Sequence, residues 1–427
     1  SATPTFDPIP SFSTVPSVTV TSHTPTDVDA IGVIVGPDGG AGASLGLDRA
    51  RLRAHGFGGR LGDTLVLPTP TAPTLVAVGI GGQIDPDALR AAAAAFASAV
   101  SHVGRLALRV DSDVDEHAEA LTEGVLLARY RYRVLRRETA GEPLDSLTLV
   151  VAADRVRAVE RGALRGRLLA SATALARDLA NTPHSHLTAS RFAELAVELG
   201  PVRGLEVEVF DEHDLREMGV GGLLAINRGS TEPPRMIKLS YRPAGAPTGR
   251  LALVGKGVMY DSGGLGIKPN DKMHAQMKND MSGAAAVLAA MLVLRDLECP
   301  TAVTGFLMCT DNMPSGTAIA LGDVITIRGG TTVEVMDTDA EGRVVMSDAL
   351  VMAREEGHDA VLDIATLTGA SLRALGSDIA ALFGNQQQLV EQVEQASART
   401  GELVWRLPLH RPYRSQLDSL TADFTNI

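Results

Sequence analysis

The sequence predicts an α/β protein of two domains. A smaller N-terminal α/β domain has a helix-covered sheet, and a larger C-terminal α/β domain has a mixed central sheet. Three observations carry this expectation. Short apolar runs of strand length alternate with longer stretches of helical periodicity, as a helix-covered and mainly parallel sheet requires. The alternation occurs twice, on either side of one long helical stretch. The chain has 427 residues, room for two or three domains of about 100–200 residues each.

Positions 1–28 are rich in Ser, Thr and Pro and read as a tail entering a strand at 17–22. The N-terminal domain is expected over 29–169 and the C-terminal domain over 170–427. In the first, 30–35 and 74–79 are strand-like, 87–100 is an alanine-rich helix, 105–110 a strand, 117–132 a helix and 147–152 a strand. The turn Gly79-Ile80-Gly81-Gly82 invites a dinucleotide reading, but position 84 is Ile where a third glycine is needed. A tight strand-to-helix turn accounts for it. A helix over 154–179 links the domains and stops at Asn181-Thr182-Pro183. The second domain opens with a helix at 188–199 and strands at 205–209, 237–241 and 251–254. It continues with a helix at 280–297, a strand at 302–308, strand-like segments at 324–327 and 332–335, a helix at 343–354 and a strand at 360–364.

Composition excludes several classes. Hydrophobic residues make up 45% and charged residues 21%, which excludes a wholly disordered chain. Lys and Arg number 39 against 51 Asp and Glu, a net charge of −12 that argues against a nucleic-acid groove. Two cysteines, Cys299 and Cys309, exclude a disulfide framework and a cysteine-rich zinc site. No stretch approaches the roughly 18 consecutive apolar residues of a membrane span. Ser1 opens no basic-then-apolar leader, so a cytoplasmic location is expected.

Three segments place polar residues just beyond apolar strands, the edge where open α/β sheets bind ligands. The first runs from Leu251 through Gly255-Lys256-Gly257 to Asp261-Ser262-Gly263-Gly264, with Lys268 after a short loop. The second is Met277-Lys278-Asn279-Asp280, where Asp280 stands at a helix start. A capping aspartate would account for it equally well. The third is Asp337-Thr338-Asp339-Ala340-Glu341-Gly342-Arg343. In an extended stretch Asp339 and Glu341, two apart, point to the same side, and like charges so placed call for a cation. Asp261, Asp280, Asp339 and Glu341 together suffice to bridge two metals roughly 3.5–4 Å apart. Lys256 joins as a ligand only if neutral. His184 and His186 read as surface or packing residues. There is no His-Glu-x-x-His, no Gly-x-Ser-x-Gly and no Walker motif.

These segments resemble the signature of the leucyl aminopeptidases, the cytosol aminopeptidase family of two-metal exopeptidases. The resemblance rests on Val254 to Gly257, Asp261 to Gly264, Met277 to Met281 with Gly283-Ala284-Ala285, and Thr338 to Arg343. Asn312-Met313-Pro314-Ser315-Gly316 and Ala365 to Ala370 extend it. It implies a hexameric enzyme that releases the N-terminal residue of peptides, Leu-like side chains preferred, by attack of a metal-activated water. It implies two divalent metal ions per subunit, zinc or manganese, with magnesium or cobalt as other candidates. By position, Asp261 and Glu341 would bridge both metals. Asp339 would complete the more exchangeable site, and Lys256 and Asp280 the tighter one. Lys268 would steady the tetrahedral intermediate. Arg343 would hold a bicarbonate that shuttles a proton. Thr366, Leu367 and Gly369 would contact substrate, and Met277 would line the side-chain pocket.

Three departures from the family pattern stand out. Asp337 occupies a position where Asn is expected. The loop from Asp261 to Asp280 spans 19 positions, about one more than expected, which could shift Lys268. The family pattern continues beyond Ile427, so the C-terminal domain is expected to be incomplete in this chain. Two other functions compete: a catalytically idle scaffold or nucleic-acid-binding relative, using a basic stretch such as 129–137, and a two-metal phosphoesterase. The full set of expected ligands disfavours the first, and the lack of a phosphate-cradling loop disfavours the second.

Overall fold

The computed structural model describes residues 15–36, 45–69, 73–110, 117–137 and 141–427. The part of the expected tail at 1–14 lies outside the described residues. The chain divides into two units. Among the described residues, one holds the chain from Val15 to Ala174 together with Gln395–Glu402, and the other holds Leu175–Glu394 and Leu403–Ile427. The division falls inside a 26-residue helix, Val156–Asn181.

The first unit is built on six strands: β1 (Ser17–Thr21), β2 (Ala30–Val35), β3 (Thr64–Leu67), β4 (Thr74–Gly79), β5 (Arg105–Arg109) and β6 (Ser146–Val150). Their order is β1-β6-β5-β2-β4-β3. All neighbours pair in parallel except β3, which runs antiparallel to β4 at the edge. The β2 sequence Ala-Ile-Gly-Val-Ile-Val is buried along its whole length, as a strand covered on both faces must be. Helix Pro86–Ala99 starts under an Asp85 cap that accepts from the Ala88 N–H, with proline in its first turn. Its Leu89 and Phe96 pack into one cluster with Val76, Val78, Leu106 and Leu149. Strand β3 and helix Arg49–Ala54 were not expected from the sequence. Both are short, and β3 is half exposed, so neither shows a full period of burial.

The second unit holds a five-stranded mixed sheet: β7 (Glu206–Phe210), β8 (Arg235–Tyr241), β9 (Arg250–Asp261), β10 (Ala302–Asn312) and, after two short strands β11 (Val324–Thr326) and β12 (Thr332–Glu334), β13 (Ala360–Ile364). The order is β13-β9-β10-β8-β7. Strands β13, β9 and β10 are parallel, and β8 runs antiparallel to both of its neighbours. The mixed sheet agrees with the expected fold class.

Strands β9 and β10 reach well past the apolar runs that announced them. Glycines and polar side chains weaken a strand signal in sequence. Here Gly255, Lys256 and Gly257 stay in the sheet because they pair with Leu307, Met308 and Cys309. Between the pairs Val258–Thr310 and Asp261–Asn312, β9 contains one residue more than β10, a bulge at the end of the strand. Helix Ser282–Met291 is shorter than expected, and helix Gly342–Glu355 lies close to its expected span. No helix among the described residues is long and apolar enough to cross a membrane.

Candidate metal centre

The C-terminal ends of β9, β10 and β13 meet two helix starts in one buried patch. Strand β9 delivers Lys256 and Asp261. Asp280 precedes helix Ser282–Met291, and Glu341 takes the N-cap position of helix Gly342–Glu355. Carboxylate oxygens of Asp261, Asp280 and Glu341 lie within 4.8 Å of one another. All three residues are buried, as is Lys256.

Two lysines hold these carboxylates together. Lys256 Nζ is 2.8 Å from Asp280 Oδ2 and 2.7 Å from Glu341 Oε1, and donates to the Thr366 carbonyl at 3.0 Å. Lys268 Nζ is 2.8 Å from Asp261 Oδ2 and 2.5 Å from Asp339 Oδ1. The expected shift of Lys268 by its long loop therefore does not take it away from the carboxylates. Glycine is needed where the elements converge on Lys256. A Cβ on Gly283 would lie 2.1 Å from the Ile364 carbonyl oxygen, and one on Gly342 would lie 2.7 Å from Lys256 Cε.

The expectation that Asp339 and Glu341 share one side of an extended stretch is corrected. Thr338 and Asp339 form a turn, and Glu341 is already helical, with φ −73° and ψ −36°. The chain therefore rotates between them, and Asp339 meets Lys268 while Glu341 meets Lys256. The capping account of Asp280 also fails. Met281 occupies the N-cap, and the Asp280 carboxylate turns to Lys256 and to the Thr366 hydroxyl at 2.7 Å.

Burial sets the protonation of the patch. It pushes the Asp280 carboxyl up to about 6 and that of Glu341 up to about 8, in both cases against the pull of Lys256. Burial also raises Asp339. For Lys256 burial acts downward, but the charges of Asp280 and Glu341 outweigh it, and its amine sits above the ordinary lysine value. Lys268 is raised in the same way, its hydrogen bonds to Asp261 and Asp339 overcoming burial. Glu341 Oε2 is buried with no hydrogen-bond partner, and Asp280 Oδ2 meets only the Lys256 ammonium. A buried carboxylate oxygen left without a donor is costly unless a cation meets it. The hard oxygen donors, the short separations and the orphaned oxygen fit divalent cations.

The remaining expected site residues surround this patch less tightly. Met277 opens a short turn, Met277–Asn279, leading to Asp280. Leu367 is exposed, and Gly369 starts the helix Gly369–Leu375. The Arg343 Nε is buried without a hydrogen-bond partner, and its side chain lines a cavity of about 160 Å³ with Val333, Val344 and Phe424.

Sequence reasoning did not single out Asn312 or Asp311 as site residues. Asn312 donates to Asp261 Oδ1 at 2.8 Å. Asp311 takes His184 Nε2 at 2.9 Å and the Ser230 hydroxyl at 2.9 Å, so of the two expected roles, surface or packing, His184 has the packing one. Burial opposes the His184 proton less than its hydrogen bond to Asp311 favours it, and its pKa is raised. The same strand-end rule that found Asp261 applies to Thr310-Asp311-Asn312 and would have found both. In the first unit, the basic stretch at 129–137 is partly engaged by its own backbone. Arg129 donates to the carbonyls of Val100, Ser101, Val103 and Glu142, and Arg131 to those of Ala128 and Tyr130.

Comparison with known proteins places this geometry in context. Residues 174–427 match the profile described as "Cytosol aminopeptidase family, catalytic domain", and residues 46–139 match the N-terminal domain of the same family. A "Probable cytosol aminopeptidase" of Leifsonia xyli is 42% identical over 426 residues, covering 97% of this chain and 84% of its own. Its namesake in Chlorobaculum tepidum is 40% identical over 418 residues, covering 93% and 80%. Among solved structures, the bottromycin maturation enzyme BotP in complex with Mn is 38% identical, with a TM-score of 0.84 over 94% of this chain and 86% of that one. The donor set described above, carried on this fold, therefore sits in a peptidase framework, and the chain belongs to the cytosol aminopeptidase family.

Proposed function

We propose that the chain is a metal-dependent aminopeptidase that releases the N-terminal residue of peptides, with Leu-like side chains preferred. The observation that carries this reading is the convergence of four carboxylates and two lysines, with Glu341 Oε2 buried and unpartnered. When bound, two divalent cations, zinc or manganese, polarise a peptide carbonyl and lower the pKa of water. Asp261 and Glu341 would hold both, Asp339 would complete the more exchangeable position, and Lys256 and Asp280 the tighter one. Lys256 serves as a ligand only after giving up the proton it shares with Asp280 and Glu341. Lys268, held protonated beside Asp261 and Asp339, would steady the negative oxygen of the tetrahedral intermediate. Arg343, with its buried Nε, is the residue we assign to bicarbonate. Met277 would line the side-chain pocket, and Thr366, Leu367 and Gly369 would meet the peptide backbone. Family likeness supports a cytoplasmic homohexamer acting on peptides.

Hydrolysis of leucine p-nitroanilide tests this directly. Activity that survives thorough chelation would refute the metal requirement, and full turnover by Glu341→Ala would refute the role of Glu341. A second reading is favoured by the likeness to a bottromycin maturation enzyme. In it, the same chemistry serves the maturation of one particular product. A panel of aminoacyl anilides separates the two: broad hydrolysis supports general peptide turnover, and failure on all of them with chelator-sensitive cleavage of one peptide supports maturation.

A further inference from the structure

We propose that Asn312 is a positioning residue for the metal centre, fastening Asp261 to the turn that carries Asp339. The proposal rests on the reading of Asp261 as a metal ligand. Asn312 closes β10 and pairs in register with Asp261 just past the bulge in β9. Its Nδ2 donates to Asp261 Oδ1 at 2.8 Å and to the Thr338 carbonyl at 2.9 Å. An amide nitrogen carries two hydrogens, and both are used. Both neighbours are acceptors, so only one orientation of the amide satisfies them. Asn312 is 1% exposed, so water does not stand in for either bond.

The two bonds have different consequences. Asp261 Oδ1 takes the Asn312 amide and the Gly263 N–H, which leaves Oδ2 directed at Lys268. Fixing one oxygen of a carboxylate fixes the direction of the other. Thr338 immediately precedes Asp339, so the second bond sets the height of that turn against β9. The Thr338 hydroxyl adds to the connection, donating to the Gly263 carbonyl at 2.7 Å and accepting from the Gly266 N–H at 2.8 Å. Asn312 itself is held: its carbonyl accepts from the Ser262 N–H and hydroxyl at 3.0 and 2.7 Å. Asp311, the residue before it, is bound to His184 and Ser230. The end of β10 is thus fixed through two successive side chains.

Shape alone does not explain asparagine here. Aspartate has the same outline, but when ionised it faces two acceptors and donates nothing. Asn312→Asp is therefore the discriminating variant, and Asn312→Ser a milder one that removes the double donor. Mn²⁺ titrated into the full chain by calorimetry should bind 10–100-fold more weakly to both variants, the loss typical when a residue that orients a ligand is removed. The metal-free Asn312→Asp variant should melt below the parent, because its new carboxylate is buried against two acceptors, and Asn312→Ser should lose less, so the titrations are run below the melting point of each variant. At saturating Mn²⁺, KM for a peptide anilide should not change. Mn²⁺ affinity within twofold of the parent in a folded variant overturns the proposal. Absence of Mn²⁺ binding by the parent chain would instead refute the metal reading beneath it. If neither variant folds, a crystal structure of the Mn²⁺-loaded parent decides. Asn312 Nδ2 still bonded to Asp261 and Thr338 supports the role, and an Asp261 turned away from Asn312 overturns it.

Discussion

Lys256 and Asp261 lie five residues apart on one strand, yet both face the same buried patch. In a regular strand an odd separation places two side chains on opposite faces. The extra residue of β9 between Val258 and Asp261 restores the parity, because Lys256 pairs with Met308 and Asp261 with Asn312, four residues apart on β10. Bulges re-aim side chains in this way beside functional sites. Deleting Met259 removes the extra residue and leaves Lys256 and Asp261 four apart on a regular strand, so Asp261 should still face the patch. We expect Mn²⁺ affinity to stay within about tenfold of the parent, with the far-UV circular dichroism of the α/β fold retained. Loss of Mn²⁺ binding by a folded deletion variant would show that the bulge does more than restore the parity of Asp261.

Gly342 admits Lys256 to the centre. A methyl group there would lie 2.7 Å from Lys256 Cε and 2.8 Å from Nζ. Lys256 has nowhere to retreat, since its ammonium is bound to Asp280, Glu341 and the Thr366 carbonyl. Gly342→Ala should cost about 1–3 kcal/mol by overpacking. It should also weaken Mn²⁺ binding at least tenfold. Thermal unfolding and calorimetry measure the two effects. An alanine variant with parent stability and affinity would mean that Lys256 moves freely.

The parts of this centre that sequence made legible were those with a strong local pattern. Apolar runs marked the cores of β9 and β10, and the acidic run from Asp337 to Glu341 marked the site. Two features were hidden because they depend on pairing. The bulge in β9 exists only relative to β10, and no single-strand period reveals it. The turn at Thr338–Asp339 replaced the extended stretch that alternation suggests, because the following residues enter a helix at Gly342. Asn312 was hidden for a further reason: a neutral amide looks like an ordinary strand-end residue until both of its acceptors are seen.

Asp337 adds a negative charge beside Asp339 and contributes to the raised pKa of that carboxyl, after burial. Its Oδ1 accepts the Asp339 N–H at 2.9 Å. Asparagine offers the same acceptor, so Asp337→Asn removes charge while leaving the turn in place. Mn²⁺ affinity should fall about threefold to tenfold at low ionic strength, with a smaller effect in high salt because exposed charges are screened. Calorimetric titration at two salt concentrations checks this. A gain in affinity on losing the charge would show that Asp337 opposes metal binding.

The last prediction concerns stability and pH. Burial raises Asp280 to about 6, Glu341 to about 8 and Asp348 to about 6. Asp348 is buried in helix Gly342–Glu355, where it accepts from the backbone N–H groups of Leu223 and Arg328. An acid whose folded pKa is raised binds more protons folded than unfolded, so it favours folding at low pH and loses that contribution as pH rises through the folded value. Lys256, raised above its usual range, contributes a constant amount until pH passes that range. The metal-free chain should therefore lose stability between about pH 4 and 8, where these three carboxyls give up their protons. Cations in the centre favour the ionised forms of Asp280 and Glu341 and should remove most of that slope, leaving the part due to Asp348 below pH 6. Mn²⁺ affinity should correspondingly rise with pH through 8 and beyond, because metal displaces protons from Asp280, from Glu341 and from the Lys256 amine. Thermal unfolding from pH 4 to 8, in chelator and in excess Mn²⁺, provides the measurement. Parallel stability curves in the two conditions would show that Asp280 and Glu341 are already ionised in the metal-free protein.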